Sequence, residues 1–228
     1  MTTSQDFRCV VRADLFGRAY HCASGEETRY YLKGVHITPH KDGGVLMVAT
    51  DGHVMAVIHD NTGYASGDAI VSLTPAMLKE CRSKRATGNS LAVTGESAAI
   101  IPRPKFDERH EVRVDLTNRA NIAIQPIDAL IDGSFPEWRR VVPKAALNNA
   151  PIGNFELARL ERAAKAICPG KLCFRLLSTG ELLDPHLMFS TDRAAFAVVM
   201  PPISSQQVVI GADMPAWLDL QPPQAKAA

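Results

Sequence analysis

The chain has 228 residues, of which 46% are hydrophobic and 21% are charged, a composition typical of a folded globular protein and not of a disordered one. This length suffices for one large domain or two smaller ones with proper cores. No apolar run reaches the roughly 18 residues that a membrane span needs, and the N-terminus lacks the pattern of a secretory signal. We therefore expect a cytoplasmic protein with no membrane partner.

The net charge of +1 argues against a protein that coats nucleic acid over its whole surface, but it permits a local basic lining. The five cysteines form no C-x-x-C pair, which favours reduced, buried thiols over disulfides or a zinc site. No metalloprotease, nucleophile-elbow, P-loop or dinucleotide-binding motif occurs. His36 and His40 are better explained by a strand and a turn than by a metal site. We expect no catalytic residue, metal or cofactor.

Three segments have the periodicity of helices. The first is predicted over 14–23 with Asp14 as the N-cap, and the second over 74–85, where Thr74-Pro75 is a strong start signal. The third covers about 155–167, with an apolar stripe formed by Leu157, Leu160, Ala164 and Ile167. The opposite side of this helix carries Arg159, Arg162 and Lys165, so we predict a basic outer face.

Strands are predicted in the remaining segments, mostly as hairpins. VLMVAT and HVMAVIHD flank Asp51-Gly52, which predicts a hairpin with a type I′ turn. Further hairpins are predicted with their turns at Glu96-Ser97 and Thr191-Asp192-Arg193. VRVDLT and NIAIQPIDALI are predicted as another pair. A unit of strand, helix and about three antiparallel strands thus occurs at 7–60, 68–133 and 147–202, with loop-like breaks at 61–67 and 144–153. We predict an α+β fold made of three such modules.

Three phrases in these modules stand out. They are TRYYLKGVHITPHKDGGVLMVATDGHVMAVIHD (28–60), DGSFPEWRRVVP (132–143) and AAFAVVMPP (194–202). Together they resemble the bacterial sliding clamp, the β subunit of DNA polymerase III, a ring that tethers enzymes to DNA without acting on it chemically. The resemblance implies helices on one face and continuous antiparallel sheet on the other. It also implies a two-module clamp domain over 1–143, a single half-domain module over 144–205 and a tail over 206–228.

The resemblance further implies a pocket that binds a short peptide of a partner protein. The implied pocket residues are Leu32, Thr50, Gly52, His53, Val54, Met55, Pro136, Arg140, Val141, Val198, Val199, Met200 and Pro201. An apolar cleft with a few polar groups suits a peptide bearing Leu and Phe, although Val54-Met55 and the VVMP strand would also suit an ordinary core. The family usually has Arg where this chain has Val54, and Met where it has Pro202.

Within a clamp the helices line the hole, so the resemblance also implies contacts with DNA. The implied DNA-binding residues are Arg18, Arg29, Tyr30, Tyr31, Lys79, Arg82, Arg159, Arg162 and Lys165. Such contacts with phosphates are independent of sequence and sensitive to salt. The ordinary alternative is solvated charge on surface helices. If Tyr30 and Tyr31 lie on a strand, one of them faces the core and the other is free to stack.

We expect a non-enzymatic processivity factor that encircles double-stranded DNA and docks a DNA polymerase or other clamp-binding proteins, with a clamp loader as a further partner. The alternative is a clamp mimic that forms no ring and sequesters the clamp-binding proteins of a host. Family rings contain twelve modules, so three modules per chain favour a homotetramer, whereas a fourth module in the tail would give a trimer. The shorter pattern fits a clamp of a phage, plasmid or other mobile element. The tail segment Ala216–Leu220 has the apolar spacing of a pocket peptide, but packing of Trp217 on the body is the simpler explanation.

Overall fold

The structure, a computed structural model, describes residues 7–144, 155–168, 170, 173–179 and 184–201. Its α-helices are α1 (Ala13–Ala19), α2 (Pro75–Cys81) and α3 (Leu157–Ile167). Its strands are β1 (Arg8–Arg12), β2 (Val35–Pro39), β3 (Val45–Thr50), β4 (Val54–Asp60), β5 (Tyr64–Ala65), β6 (Ala69–Val71), β7 (Asn89–Thr94), β8 (Ser97–Pro102), β9 (Ala123–Gln125), β10 (Leu130–Ile131), β11 (Arg175–Leu177), β12 (His186–Phe189) and β13 (Ala195–Val199). Within these described ranges, no helix is long and apolar enough to cross a membrane.

The described strands form two antiparallel sheets. The larger sheet has the order β10-β6-β2-β3-β4-β13-β12-β11, and the smaller has the order β5-β1-β7-β8-β9. β1 pairs with β7 while β6 pairs with β2, so each of the first two modules places its first strand in the sheet of the other. β13 pairs with β4, which extends the larger sheet from the first module into the third.

Among the described residues, the element order contains the predicted unit twice, as β1-α1-β2-β3-β4 and β6-α2-β7-β8-β9, and a third time without its first strand, as α3-β11-β12-β13. The predicted α+β class is confirmed. The predicted division between 1–143 and 144–205 stays a prediction, since 145–154 lie outside the described residues. The predicted tail, with its segment Ala216–Leu220, also lies outside them.

One main core joins the two sheets and the helices. Its nearly inaccessible side chains include Val11 of β1, Phe16 of α1, Met47 of β3, Met77 of α2 and Ile167 of α3. Because these residues come from every layer, burial of their apolar surface stabilises the layers as one unit.

Close approach of the helices depends on small residues. α1 meets α2 at Gly17, where an added Cβ would lie 2.9 Å from the carbonyl oxygen of Cys81. α3 buries Ala163, Ala164 and Ala166 and packs against β4 and β13. The helices therefore lie close to one another and to the sheet.

The three predicted helices exist, but they are shorter than predicted. Asp14 does not cap α1, because the helix begins at Ala13 with Arg12 in the N-cap position; its carboxylate pairs with the guanidinium of Arg12 at 2.6 Å. The predicted last turn is a 3-10 turn over Tyr20–Cys22. α2 begins as predicted, with the Thr74 hydroxyl oxygen accepting from the Met77 N–H at 3.4 Å.

The predicted apolar stripe of α3 is wrong at its first member. Leu157 is 78% exposed, while the buried face consists of Ala163, Ala164, Ala166 and Ile167. The short alanine side chains let α3 pack closely against β4 and β13.

The hairpin at Asp51-Gly52 is present, but its turn is not type I′. Gly52 has a φ of 91°, whereas Asp51 does not adopt positive φ. The Asp51 carboxylate instead accepts hydrogen bonds from the N–H groups of His53 (2.7 Å) and Val54 (2.8 Å), which stabilises a wider turn. The turn predicted at Glu96-Ser97 is shifted by one residue, because Ser97 already pairs with Thr94.

The predicted pairing of VRVDLT with NIAIQPIDALI is wrong. Residues 112–117 form no strand, since the Asp115 carboxylate accepts from both the N–H (2.9 Å) and the hydroxyl (2.7 Å) of Thr117 and so favours a turn. NIAIQPIDALI supplies two short strands instead, of which β9 pairs with β8 and β10 with β6.

Candidate peptide pocket and basic helical face

Two of the three phrases meet in the larger sheet. Met55 of β4 lies opposite Val198 of β13, and Val54 lies opposite Val199. Beyond the strand ends, the N–H of Met200 donates to the carbonyl of His53 at 2.9 Å. The turn 51–54 and the segment 200–201 are therefore neighbours at one end of these strands.

The third phrase covers the face of this sheet that points away from the main core. Trp138, in a 3-10 turn over Trp138–Val141, is buried there together with Val48, Met55, Val57, Leu187 and Val198. Phe135 and Val142 of the same phrase pack against this group, which we call the outer cluster. The three phrases thus come together in space, although they are far apart in the sequence.

The outer cluster and its surroundings contain most of the predicted pocket residues. Met55 and Val198 are members of the cluster, whereas Thr50 and Met200 are half-buried and Pro201 is buried. The exposed members are Gly52, His53, Pro136, Arg140 and Val141. Leu32 is buried in a 3-10 turn over Tyr30–Leu32, where its carbonyl accepts from the Ser24 N–H at 2.8 Å.

Val54 and Val199 lie on the opposite face of the sheet from Met55 and Val198. Their side chains belong to the main core and are no more than 1% exposed. Because successive side chains of a strand alternate between faces, Val54 and Val199 point away from the outer cluster, and their contact with a peptide stays a prediction. Burial in the main core also explains why an apolar residue is suited to position 54.

Side-chain hydrogen bonds stabilise the turn beside the outer cluster. The Thr50 hydroxyl donates to the carbonyl of Val54 at 2.9 Å and accepts from the Gly52 N–H at 3.0 Å. Burial would raise the pKa of the Asp51 carboxyl, but the hydrogen bonds from Val54 and His53 and the nearby Arg162 outweigh it, so this pKa is lowered. Asp51 is therefore ionised at neutral pH and can pair with the guanidinium of Arg162.

Most of the predicted DNA-contacting arginines and lysines have partners inside the protein. Arg18 donates to the carbonyls of Ala166 and Ile167, each at 2.9 Å, and to the Asp192 carboxylate at 2.8 Å. Arg159 pairs with Glu156 at 2.8 Å. Contact of Arg18 and Arg159 with DNA stays a prediction.

Through its guanidinium, Arg162 has three internal partners, as many as Arg18. It binds the Asp51 carboxylate and donates to the carbonyls of His21 (2.8 Å) and Ala23 (2.9 Å). Its guanidinium therefore joins α3 to the turn 51–54 and to the chain that follows α1. Contact of Arg162 with DNA also stays a prediction.

The remaining basic residues of the helices are exposed, namely Lys79 and Arg82 near α2 and Lys165 on α3. Lys165 also pairs with Glu161 at 2.7 Å. Burial, followed by the positive charges of Arg82, Lys165 and Arg162, lowers the pKa of His21 to about 4. Cations on or beside two helices therefore lie near His21.

The tyrosine pair lies in the 3-10 turn and not on a strand, so the alternation of faces expected of a strand does not apply, and contact of the pair with DNA stays a prediction. Tyr30 is 52% exposed and meets the half-buried Tyr31 edge to face, with ring centroids 5.8 Å apart. Arg29 pairs with Glu26 at 2.7 Å and covers Gly52, where an added Cβ would lie 2.7 Å from its guanidinium. Arg29 therefore packs against the turn 51–54, and its contact with DNA stays a prediction.

Sequence reasoning missed two residues of this site, Asp51 and Trp138, although both lie within the quoted phrases. An Asp directly before a turn glycine could have signalled a side chain that binds its own turn. A Trp flanked by charged residues could have signalled an apolar anchor.

An open cleft of about 1380 Å³ lies beside the outer cluster, lined by residues that include Tyr31, His36, Phe135 and Trp138. The His36 ring stacks on Phe135 with centroids 4.8 Å apart. Among the residues that the structure describes, no group of three or more His, Cys, Asp or Glu could hold a metal ion.

Comparison with known proteins shows that the chain is similar to bacterial sliding clamps. No family model matches the chain. It is 26% identical to the beta sliding clamp of Synechococcus elongatus over 197 residues, which cover 84% of this chain and 45% of that protein. It is also 26% identical to the beta sliding clamp of Caulobacter vibrioides over 141 residues, 60% of this chain and 33% of that protein. The chain thus spans less than half the length of these curated relatives.

Solved structures show the fold. The Helicobacter pylori beta clamp bound to a DNA ligase peptide matches with a TM-score of 0.58 at 14% identity, covering 90% of this chain and 68% of that one. The Bartonella birtlesii sliding clamp bound to griselimycin matches with a TM-score of 0.55 at 15% identity, covering 86% and 66%. The chain has the sliding-clamp fold and is similar to the bacterial sliding clamps.

Proposed function

We propose that this chain, which has the fold of the bacterial sliding clamp, works as a non-enzymatic processivity factor that surrounds duplex DNA and docks replication or repair proteins through a short peptide. The observation that carries the proposal is the meeting of the three phrases. The pairing of β4 with β13 brings the turn 51–54 beside Met200, and Trp138 covers the same sheet face. A protein that surrounds bacterial DNA in this way would be located in the cytoplasm.

The arrangement at the outer cluster suits an apolar peptide. The half-buried Phe135 and Val142 and the exposed Val141 offer apolar surface over this buried cluster, while the turn residues and Arg140 supply polar groups near it. A few apolar anchors with polar groups that orient them are what peptide recognition requires. The peptide bound to the Helicobacter pylori clamp belongs to a DNA ligase, a protein of the kind that we propose as a partner.

Peptide binding can be tested with a labelled synthetic peptide of the Gln-x-x-Leu-Phe type, measured by fluorescence anisotropy. We expect micromolar affinity, because the site offers few buried anchors. A control peptide with Leu and Phe replaced by Ala should not bind. Equal anisotropy with both peptides would contradict the pocket.

The helical side supports binding to DNA. Lys79, Arg82 and Lys165 are exposed there, and the low pKa of His21 reflects burial together with the charges around it. Phosphate contacts of this kind hold DNA without reading its sequence. Retention on circular DNA, compared with the same DNA after it has been cut, separates encirclement from simple attraction: a ring should be lost after the cut, whereas a surface-bound protein would stay.

Self-assembly is supported by an unpaired sheet edge. β9 lies at the edge of the smaller sheet as the structure describes it, and Ile122, Ile124 and Ile127 in and beside it are between 38% and 61% exposed. Exposed edge strands with apolar side chains tend to pair with another chain. We propose a closed homo-oligomer, with a tetramer favoured by three modules per chain. Light scattering tests this, and a monomer at every concentration would favour the clamp mimic instead.

A further inference from the structure

Two of the basic residues of α3, Arg159 and Arg162, contact segments that border the candidate pocket, which their spacing along the helix does not reveal. Arg162 binds the Asp51 carboxylate, and its side chain is 35% exposed against 14% for that of Asp51. One turn earlier on α3, the guanidinium of Arg159 reaches the carbonyl of Met200 at 3.4 Å. Both arginines thus contact the backbone or side chains of the segments that border the candidate pocket.

We infer that Arg162 is a positioning residue of the peptide pocket: through Asp51 it holds the turn 51–54 in the conformation that accepts a peptide. The chain of contacts is continuous. The Asp51 carboxylate that binds Arg162 also accepts from the N–H groups of His53 (2.7 Å) and Val54 (2.8 Å), and the His53 carbonyl accepts from Met200 (2.9 Å). A shift of Asp51 therefore displaces both sides of the pocket entrance.

The remaining contacts of Arg162 explain why it can hold the turn in place. Its other hydrogen bonds go to the carbonyls of His21 and Ala23, which follow α1 directly. α1 and α3 both pack into the main core, so the guanidinium is attached to the rigid part of the molecule. A turn that is already ordered loses less entropy when a ligand binds, and affinity rises accordingly.

The inference rests on the proposed function only for the identity of the ligand. Arg162→Met removes the charge and the hydrogen bonds but keeps a stem of similar length, and Glu161→Gln, at the preceding position on α3, is the matched control. We expect Arg162→Met to weaken binding of the Gln-x-x-Leu-Phe peptide about tenfold, mainly through faster dissociation. Amide hydrogen exchange at His53 and Val54, measured without peptide, should accelerate at least about tenfold as the turn opens. Glu161→Gln should change neither.

A double-mutant cycle separates positioning from general loss of stability. Asp51→Asn keeps an oxygen that can accept from His53 and Val54 but removes the charge, so it should weaken peptide binding less than Arg162→Met. Because both changes break one interaction, the double variant should lose less affinity than the two single losses combined. If Arg162→Met does not fold, Arg162→Lys and Asp51→Asn carry the same test, with Lys retaining the charge but only part of the hydrogen bonding.

Wild-type affinity and wild-type exchange in Arg162→Met, or strict additivity in the cycle, would overturn the inference. Absence of peptide binding by the wild-type chain would instead count against the proposed function. In that event the exchange of His53 and Val54 still decides whether Arg162 holds the turn, so the two failures remain distinguishable.

Discussion

Replacement of Trp138 by Ala tests whether DGSFPEWRRVVP is held on the outer face of the larger sheet. The side chain is 8% exposed and packs against Val48, Met55, Val57 and Val198, each at most 4% exposed. Truncation of a buried Trp costs about 3–5 kcal/mol in free energy of unfolding. The indole N–H is buried without a partner, so its removal returns part of that loss, and we expect a net loss of about 2–4 kcal/mol.

Thermal and urea unfolding followed by circular dichroism measure this loss. For a chain of this size, each kcal/mol lowers the midpoint by about 2–4 °C, so Trp138→Ala should lower Tm by at least about 4 °C. Trp138→Phe keeps most of the buried area and removes the unpaired donor, so it should cost about 1 kcal/mol. Leu157→Ala, at a side chain that is 78% exposed, is the control and should stay within about 0.5 kcal/mol. If Trp138→Ala behaves like this control, the phrase does not pack on the outer cluster.

Three further outcomes are expected. The pKa of His21 in the folded chain is about 4, below its ordinary 6.5, so between these pH values His21 takes up a proton only when the chain unfolds. The free energy of unfolding should therefore fall as pH drops through this window. His21→Gln should reduce this pH dependence, measured by urea melts at a series of pH values. Val141→Asp, at a position 41% exposed, should weaken peptide binding about tenfold or more by placing a charge beside the apolar site while leaving Tm unchanged; unaltered affinity in anisotropy would place the peptide elsewhere. Lys79→Glu and Lys165→Glu should each lower the slope of log affinity for DNA against log salt concentration by about 1, as measured by filter binding across a salt series. Lys105→Glu, which changes an exposed lysine outside the three helices, should leave this slope unchanged.

Local features of the sequence predicted much of the fold. The hairpins at 51–52 and 191–193 were found because alternating apolar residues flank a short polar turn, and α2 was found from Thr74-Pro75. These signals lie within a few residues of the element that they predict. The turn type at Asp51 was missed because a side-chain hydrogen bond replaced the expected backbone geometry.

Pairings between distant segments could not be predicted in the same way. β4 and β13 are neighbours because of the whole topology, and the face to which Val54 or Met55 points depends on what covers each side of the sheet. The side chains of α3 show the same limit. Helical periodicity assigns a direction to the Cα–Cβ bond, but the long side chains of Arg159 and Arg162 bend towards acceptors that only the folded chain supplies.

The exchange of first strands between the first two modules affects how the chain folds. β1 completes a sheet with β7, and β6 completes one with β2, so neither half can satisfy its backbone hydrogen bonds until both have been synthesised. The folding nucleus must bring together residues that are far apart in the chain, which slows folding and makes it cooperative. The same interlocking means that two fragments, produced by cutting the chain between β4 and β6, carry complementary edges and can reassemble as a non-covalent pair.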